Sequence, residues 1–288
     1  MRFVVSSRLT ALKRRTITVT CLLLFFNILN KMEAKKKLIV LYAIGGLSDV
    51  GRHAILAGLE NMNVEHITVI TEYPDMLDEE NWDCGCPDGH TNPFKDDAHA
   101  AKLTMVKIDS WKNEQPDLHV HFQGVDAVIS CLGHRQPGWK NKDLIKKGLV
   151  ARDGNMQVIR AMKEANVARV ITISSFGLNR GDKSWPHAAT KFMRLCFLTF
   201  MRKAKKDLQA MEKLFKQSTL DYLIVLPVGI GEEVAPDGKY FVQEPGEEAV
   251  GGSMAKMDLA RYMVNEAIQP TAVRKSKVVG SAPGTPLG

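Results

Sequence analysis

Leu38-Ile39-Val40-Leu41-Tyr42-Ala43-Ile44-Gly45-Gly46-Leu47-Ser48-Asp49-Val50-Gly51-Arg52 is the stretch on which the fold turns. Leu38 to Ala43 is an almost continuously apolar run, the pattern of a strand buried on both faces of a parallel sheet. Gly45-Gly46 opens a turn, and Gly51 to Leu59 follows at helical spacing. A glycine-rich turn between strand and helix brings unpaired N–H groups and the positive end of a helix to one place. Glycine lets the backbone approach a pyrophosphate closely, so the turn predicts a dinucleotide phosphate as ligand. The plainer alternative is a tight turn that needs glycine for its dihedrals alone. The strands that follow in order favour the dinucleotide.

Those strands are His66–Ile70, Leu103–Lys107, Val125–Cys131, Val170–Ser174 and Tyr222–Leu226, the last closed by Pro227. Helical stretches run from about Asn155 to Ala165, with Asp153 as N-cap, and from about Thr190 to Lys216. Asp258 caps a last helix through Ala267, and Ser276–Val279 reads as a final strand. Strands alternating with helices imply right-handed βαβ units. The expected architecture is α/β: a Rossmann-type, doubly wound parallel sheet forming a single domain over residues 38–283.

The chain has 288 residues and a formal charge of +7. Residues 1–37 hold nine of the 39 Lys+Arg but only one of the 32 Asp+Glu, so the rest is within one charge of neutral. A basic footprint for nucleic acid is therefore excluded. The charge marks residues 1–31 as a leader, basic from Arg2 to Arg15 and apolar from Ile17 to Leu29. That is the layout of a signal peptide or anchor, though shorter than the ~20 residues of a comfortable membrane span. Met32, just before Glu33-Ala34-Lys35-Lys36-Lys37 and the first strand, offers a second natural start. A start there makes the protein cytoplasmic and the leader a spurious extension. A start at Met1 sends it to the secretory pathway, an organelle or a membrane anchor. Any membrane contact is expected through residues 1–31 alone.

Five scattered cysteines form no disulfide framework. Cys84, Cys86, His90 and His99 lie in one polar stretch and could make a tetrahedral zinc site, but their spacing matches no standard zinc signature. A variable insertion after the second strand is the favoured reading, so no metal is expected.

The turn resembles the Gly-x-x-Gly-x-x-Gly-Arg fingerprint of atypical short-chain dehydrogenases, the NmrA-like and biliverdin/flavin reductase-like group. Gly45, Ser48 and Gly51 take the three glycine places, and Ser48 is a departure. Gly124-Val125-Asp126-Ala127-Val128-Ile129-Ser130-Cys131-Leu132-Gly133 resembles the family's fourth strand, Val170 to Ser175 its fifth and Ser218 to Pro227 its sixth. The resemblance implies a cofactor site at Gly45, Gly46, Leu47, Ser48, Asp49, Val50, Gly51 and Arg52, with Asp109 near adenine. It also places Cys131, Leu132 and Gly133 under the nicotinamide ribose, and Ser174 and Pro227 beyond them. The family's Arg for the 2′-phosphate of NADP falls on Thr71 or Glu72. A carboxylate there would bond ribose hydroxyls and repel a phosphate, favouring NAD. Arg52, beside the turn, keeps NADP open.

Short-chain dehydrogenases outside the atypical group pair a Ser with Tyr-x-x-x-Lys, whose Lys lowers the Tyr pKa for proton transfer. No Tyr-x-x-x-Lys occurs here. Ser174 is followed thirteen residues on by His187-Ala188-Ala189-Thr190-Lys191, and a His can do acid–base work near neutral pH. The catalytic candidates are thus Ser174, His187 and Lys191, weighed against an exposed loop His at a chance spacing. The catalytic Lys of isoflavone reductase-like relatives falls, counting back from Ser218, on Leu208. Arg202, Lys203, Lys205 and Lys206 read as a solvated helix face rather than a dock for an anionic substrate. The expected function is an NAD(P)-dependent reductase or dehydrogenase moving hydride to a small aromatic, flavin-like or carbonyl substrate. The alternative is a non-catalytic NmrA-like dinucleotide sensor or a membrane-tethered scaffold.

Overall fold

Alternation along the strands builds two hydrophobic layers. In β1 (Lys36–Tyr42), Leu38 and Val40 face one side while Ile39 and Leu41 face the other, and all four are buried. The first side packs against α1 (Val50–Glu60), and the second supports the long connection after β3, including the 3₁₀ turn at Leu118–Phe122. The computed structural model describes residues 35–42, 50–72, 74, 96–133, 149–178, 195–196, 199, 201–231, 240–245, 247, 250–252 and 254–282. In chain order the remaining elements are β2 (Val64–Thr71), α2 (Asp97–Ala100), β3 (Leu103–Lys107), β4 (Ala127–Cys131), α3 (Ala151–Glu164) and β5 (Arg169–Ile173). They continue with α4 (Arg202–Gln217), β6 (Asp221–Pro227), β7 (Ile230–Gly231), β8 (Phe241–Gln243), β9 (Met254–Ala255), α5 (Lys256–Ile268) and β10 (Lys275–Gly280).

The main sheet runs β3-β2-β1-β4-β5-β6-β10-β8, and β7 pairs separately with β9. The chain leaves β1 toward β2 and β3, then crosses back to β4, so strand order reverses between β1 and β4. Leu38 and Val40 sit opposite Ala127 and Ile129 of β4, and Val40 also lies opposite Val69 of β2. Helices α1 and α5 cover one face; α3 and α4 cover the other. The Rossmann-type expectation holds, with one correction: β8 runs antiparallel along β10, so the sheet is mostly, not wholly, parallel.

Two expected caps are corrected. Helix α3 begins at Ala151, so Asp153 lies inside its first turn and Val150 holds the cap position without a side-chain bond. The cap comes from another helix: Asp207 of α4 accepts the N–H groups of Ala151 at 3.0 Å and Arg152 at 3.2 Å. Likewise Asp258 sits buried in the first turn of α5, whose cap position is Ala255. The other expected elements appear within a few residues. Of the helix expected from Thr190, α4 supplies the part from Arg202, and Leu195–Cys196 is also helical. Among the described residues no helix is long and apolar enough to cross a membrane; the leader, residues 1–31, lies outside them.

Candidate functional site

The carboxyl edges of β1, β2 and β4 lie side by side: Tyr42 is registered against Thr71 on one flank and Cys131 on the other. Because strand order reverses here, the helices that follow β1 and β4 lie on opposite faces of the sheet, the arrangement at which open α/β sheets take their ligands. Gly45, Gly46, Leu47, Ser48 and Asp49 lie outside the described residues. Val50 and Gly51 start α1 and are buried, and Arg52 is half-buried in its first turn. Among the described residues that turn holds no acidic side chain.

At the next strand Thr71 is fully buried, and its carbonyl accepts the N–H of Ile108 at 3.0 Å. Glu72 is half-buried, and its carboxylate accepts the backbone N–H of Trp111. The charge at the end of β2 is therefore tied to the loop that leaves β3. Gln157 of α3 holds the other side of that loop: its amide donates to the Trp111 carbonyl at 2.8 Å and its oxygen accepts the Gln115 N–H at 2.8 Å. Asp109 sits exposed on this loop. A Cβ on Gly154 would stand 2.8 Å from Leu132 Cδ1 and 3.4 Å from Trp111 Cβ, so α3 packs directly on both. Among the described residues the buried Trp111 indole N–H has no hydrogen-bond partner.

Cys131, Leu132 and Gly133 are all buried at the end of β4. Burial pushes the Cys131 thiol well above its ordinary pKa, so at neutral pH it is a packing group rather than a nucleophile. Beneath it, the Ser130 hydroxyl donates to Asn155 Oδ1 at 2.6 Å, and Asn155 Nδ2 donates to the Ala151 carbonyl at 2.7 Å.

Ser174 follows β5. Its N–H continues the ladder to the Val225 carbonyl at 2.8 Å, and Phe176 N–H reaches the Pro227 carbonyl at 3.2 Å. Ser174 has no exposed surface, and its hydroxyl donates to Glu212 Oε1 at 2.8 Å. Glu212, itself buried, also accepts from Lys216 Nζ at 2.9 Å. Of the serine pair, Ser175 is the half-buried one. His187 and Lys191 lie outside the described residues. The place counted for the relatives' Lys, Leu208, is buried and packs in the apolar layer of α4. Arg202, Lys203 and Lys206 are exposed and Lys205 is half-exposed, a solvated face.

Cys84, Cys86 and His90 are outside the described residues. His99 lies on α2, its Nδ1 3.6 Å from Asp96. No group of three or more His, Cys, Asp or Glu that could hold a metal occurs among the described residues.

Sequence reading missed Trp111, Gln157 and Glu212. Two carried a readable signal. Gln157 interrupts the buried face formed by Gly154, Val158 and Ala161, and Glu212 interrupts that of Leu208, Met211 and Phe215. A polar residue on an apolar stripe needs a partner, and both have one.

A family model described as NAD(P)H-binding matches residues 90–270, more than half of the chain. No curated protein sequence matches. Among solved structures, a short-chain dehydrogenase/reductase from Veillonella parvula in complex with NADP aligns with a TM-score of 0.61 at 16% identity, over 87% of this chain and 96% of that one. A protein described as an NAD-dependent epimerase/dehydratase from Bacillus halodurans aligns with a TM-score of 0.58 at 17% identity, over 86% and 96%. An oxidoreductase from Lactococcus lactis gives 0.56 at 16% identity, over 87% and 92%. At these identities the likeness is one of fold.

Proposed function

The chain belongs to the NAD(P)H-binding family, and from that premise we propose that it is an oxidoreductase of the atypical short-chain dehydrogenase type. Hydride passes between a nicotinamide dinucleotide, which supplies that chemistry when bound, and a small aromatic, flavin-like or carbonyl substrate. The observation that carries this reading is the juxtaposition of the β1, β2 and β4 edges at the strand-order reversal, with Tyr42 registered against both Thr71 and Cys131.

In this reading the turn from Gly45 to Arg52 takes the pyrophosphate and Asp109 stands near adenine. Cys131, Leu132 and Gly133 line the nicotinamide ribose, and Pro227 bounds the far end. Glu72 presents a carboxylate where a 2′-phosphate would lie, which favours NAD over NADP. Ser174 is bound to Glu212, so a direct role for the pair falls to Ser175, with His187 and Lys191 as the remaining proton-transfer candidates. A second reading, a non-catalytic NmrA-like dinucleotide sensor, is favoured by the buried, apolar Leu208.

The test is titration of the protein with NADH and NADPH, followed by fluorescence, then turnover with flavin, quinone and biliverdin acceptors. Binding of NADH at least as tight as NADPH, with turnover, is expected. Tight binding without turnover over a broad acceptor panel selects the sensor. Failure to bind either dinucleotide rejects both and leaves a scaffold.

A further inference from the structure

We infer that Gln209 and Glu212 of α4 are positioning residues for the nicotinamide end of the site, an inference that rests on the dinucleotide reading above. They sit one helical turn apart and grip the turn after β5 at both ends. Glu212 Oε1 accepts the Ser174 hydroxyl at 2.8 Å, and Gln209 Nε2 donates to the Leu178 carbonyl at 2.9 Å. Between these grips Gly177 has φ +80°, a left-handed conformation that glycine adopts without strain. From below, β6 holds the same turn through the Val225 and Pro227 carbonyls. With the backbone fixed on two sides, Ser175 is left half-buried between them. Among the described residues its hydroxyl makes only a 3.3 Å contact to the Phe176 carbonyl, which a ligand can replace.

Stability alone does not call for this arrangement. One residue earlier, Met211 meets the Thr172 hydroxyl through its sulfur and continues the apolar layer. An apolar residue at 212 would extend that layer with no carboxylate to desolvate, and buried charges are often replaceable at no loss of stability. Here a carboxylate stands instead, with the exposed Lys216 supplying the counter-charge. What Glu212 provides, and an apolar residue would not, is a fixed acceptor that sets the rotamer of Ser174 and the path of the turn beyond it.

The test uses the full chain and whichever of NADH and NADPH binds more tightly. The readouts are Kd and the fluorescence emission of the bound reduced nicotinamide, which reports the surroundings of the ring. E212L and Q209L are expected to keep Kd within about threefold of wild type while the bound emission falls about twofold toward that of free cofactor. E212Q, whose amide oxygen still accepts from Ser174, is expected to restore the wild-type signal. S174A removes the same hydrogen bond by a smaller change and reads it even where E212L fails to fold. No binding by wild type overturns the dinucleotide reading. Binding by wild type, with unaltered emission in E212L or S174A and in Q209L, overturns the positioning role alone.

Discussion

Arg169 and Glu266 meet at 3.0 Å with both side chains shut off from water. Arg169 opens β5 and Glu266 lies near the end of α5, so the pair sits at the amino edge of the sheet, opposite the candidate site. The guanidinium also donates to the Glu266 carbonyl at 2.9 Å and the Ala272 carbonyl at 2.8 Å, and Glu266 accepts the Thr271 N–H at 3.0 Å. The Glu266 carboxylate also accepts the Ala272 N–H, so both ions of the pair are hydrogen-bonded beyond each other. E266Q leaves the guanidinium buried without its counter-ion and is expected to cost about 3–5 kcal/mol in urea unfolding. The double change R169M/E266M is expected to cost less than either single change, because it removes both charges together. Dinucleotide affinity of the folded E266Q protein should match wild type, as the pair is remote from that edge.

Gly251 is expected to tolerate no side chain. Its N–H donates to the Ser281 carbonyl at 2.8 Å, and a Cβ would run into the Ala282 carbonyl and the Ser281 hydroxyl. These are mostly backbone atoms, which cannot rotate away. G251A should lower stability by about 3 kcal/mol, measured by urea midpoint. G58A, where the Cβ meets only the end of the Ile67 side chain, should cost less.

Glu72 offers a clean test of cofactor choice. E72Q keeps an oxygen for the Trp111 N–H and removes the charge. The NADPH-to-NADH affinity ratio is therefore expected to rise about tenfold, equivalent to ~1.4 kcal/mol. An unchanged ratio in E72Q would reject the ribose role of Glu72.

Alkaline pH should destabilise the fold through Cys131. Burial raises its folded pKa, as it does that of the Tyr262 hydroxyl. Below about pH 8.5 the thiol is protonated in both folded and unfolded chains, and stability is flat with respect to it. Above that, the unfolded chain loses the proton and the folded chain does not, so stability falls as pH rises, by up to about 1.4 kcal/mol per pH unit. C131A should remove this slope between about pH 8.5 and 10 in urea midpoints. A slope that survives the change would assign it to another group.

The strands were legible because their surroundings are uniform. Val40, Ile129 and Ile171 are covered on both faces, so their apolar runs need no knowledge of the neighbours. The helix starts were not, because the partner is distant in sequence. The cap expected at Asp153 is supplied by Asp207 on α4, and no local pattern announces a carboxylate from another helix. Short strands such as β8, three residues long, carry too few positions for alternation to register. At the site, the edge residues Thr71, Glu72 and Cys131 follow from strand ends. The burial of Ser174 does not, since it depends on which face of β5 meets α4. The side of α4 that meets it carries Glu212, which sequence reading passed over as one more charge on a lysine-rich helix.

Asp207 has a bearing beyond the helix it caps. By placing a fixed carboxylate against the first N–H groups of α3, the protein furnishes that helix with an internal counter-ion. A diffusing anion that reaches this edge finds α3 already satisfied and would have to evict a tethered competitor. The start of α3 is thus closed to free anions by a carboxylate that arrives from α4, and removing that carboxylate is what would open it.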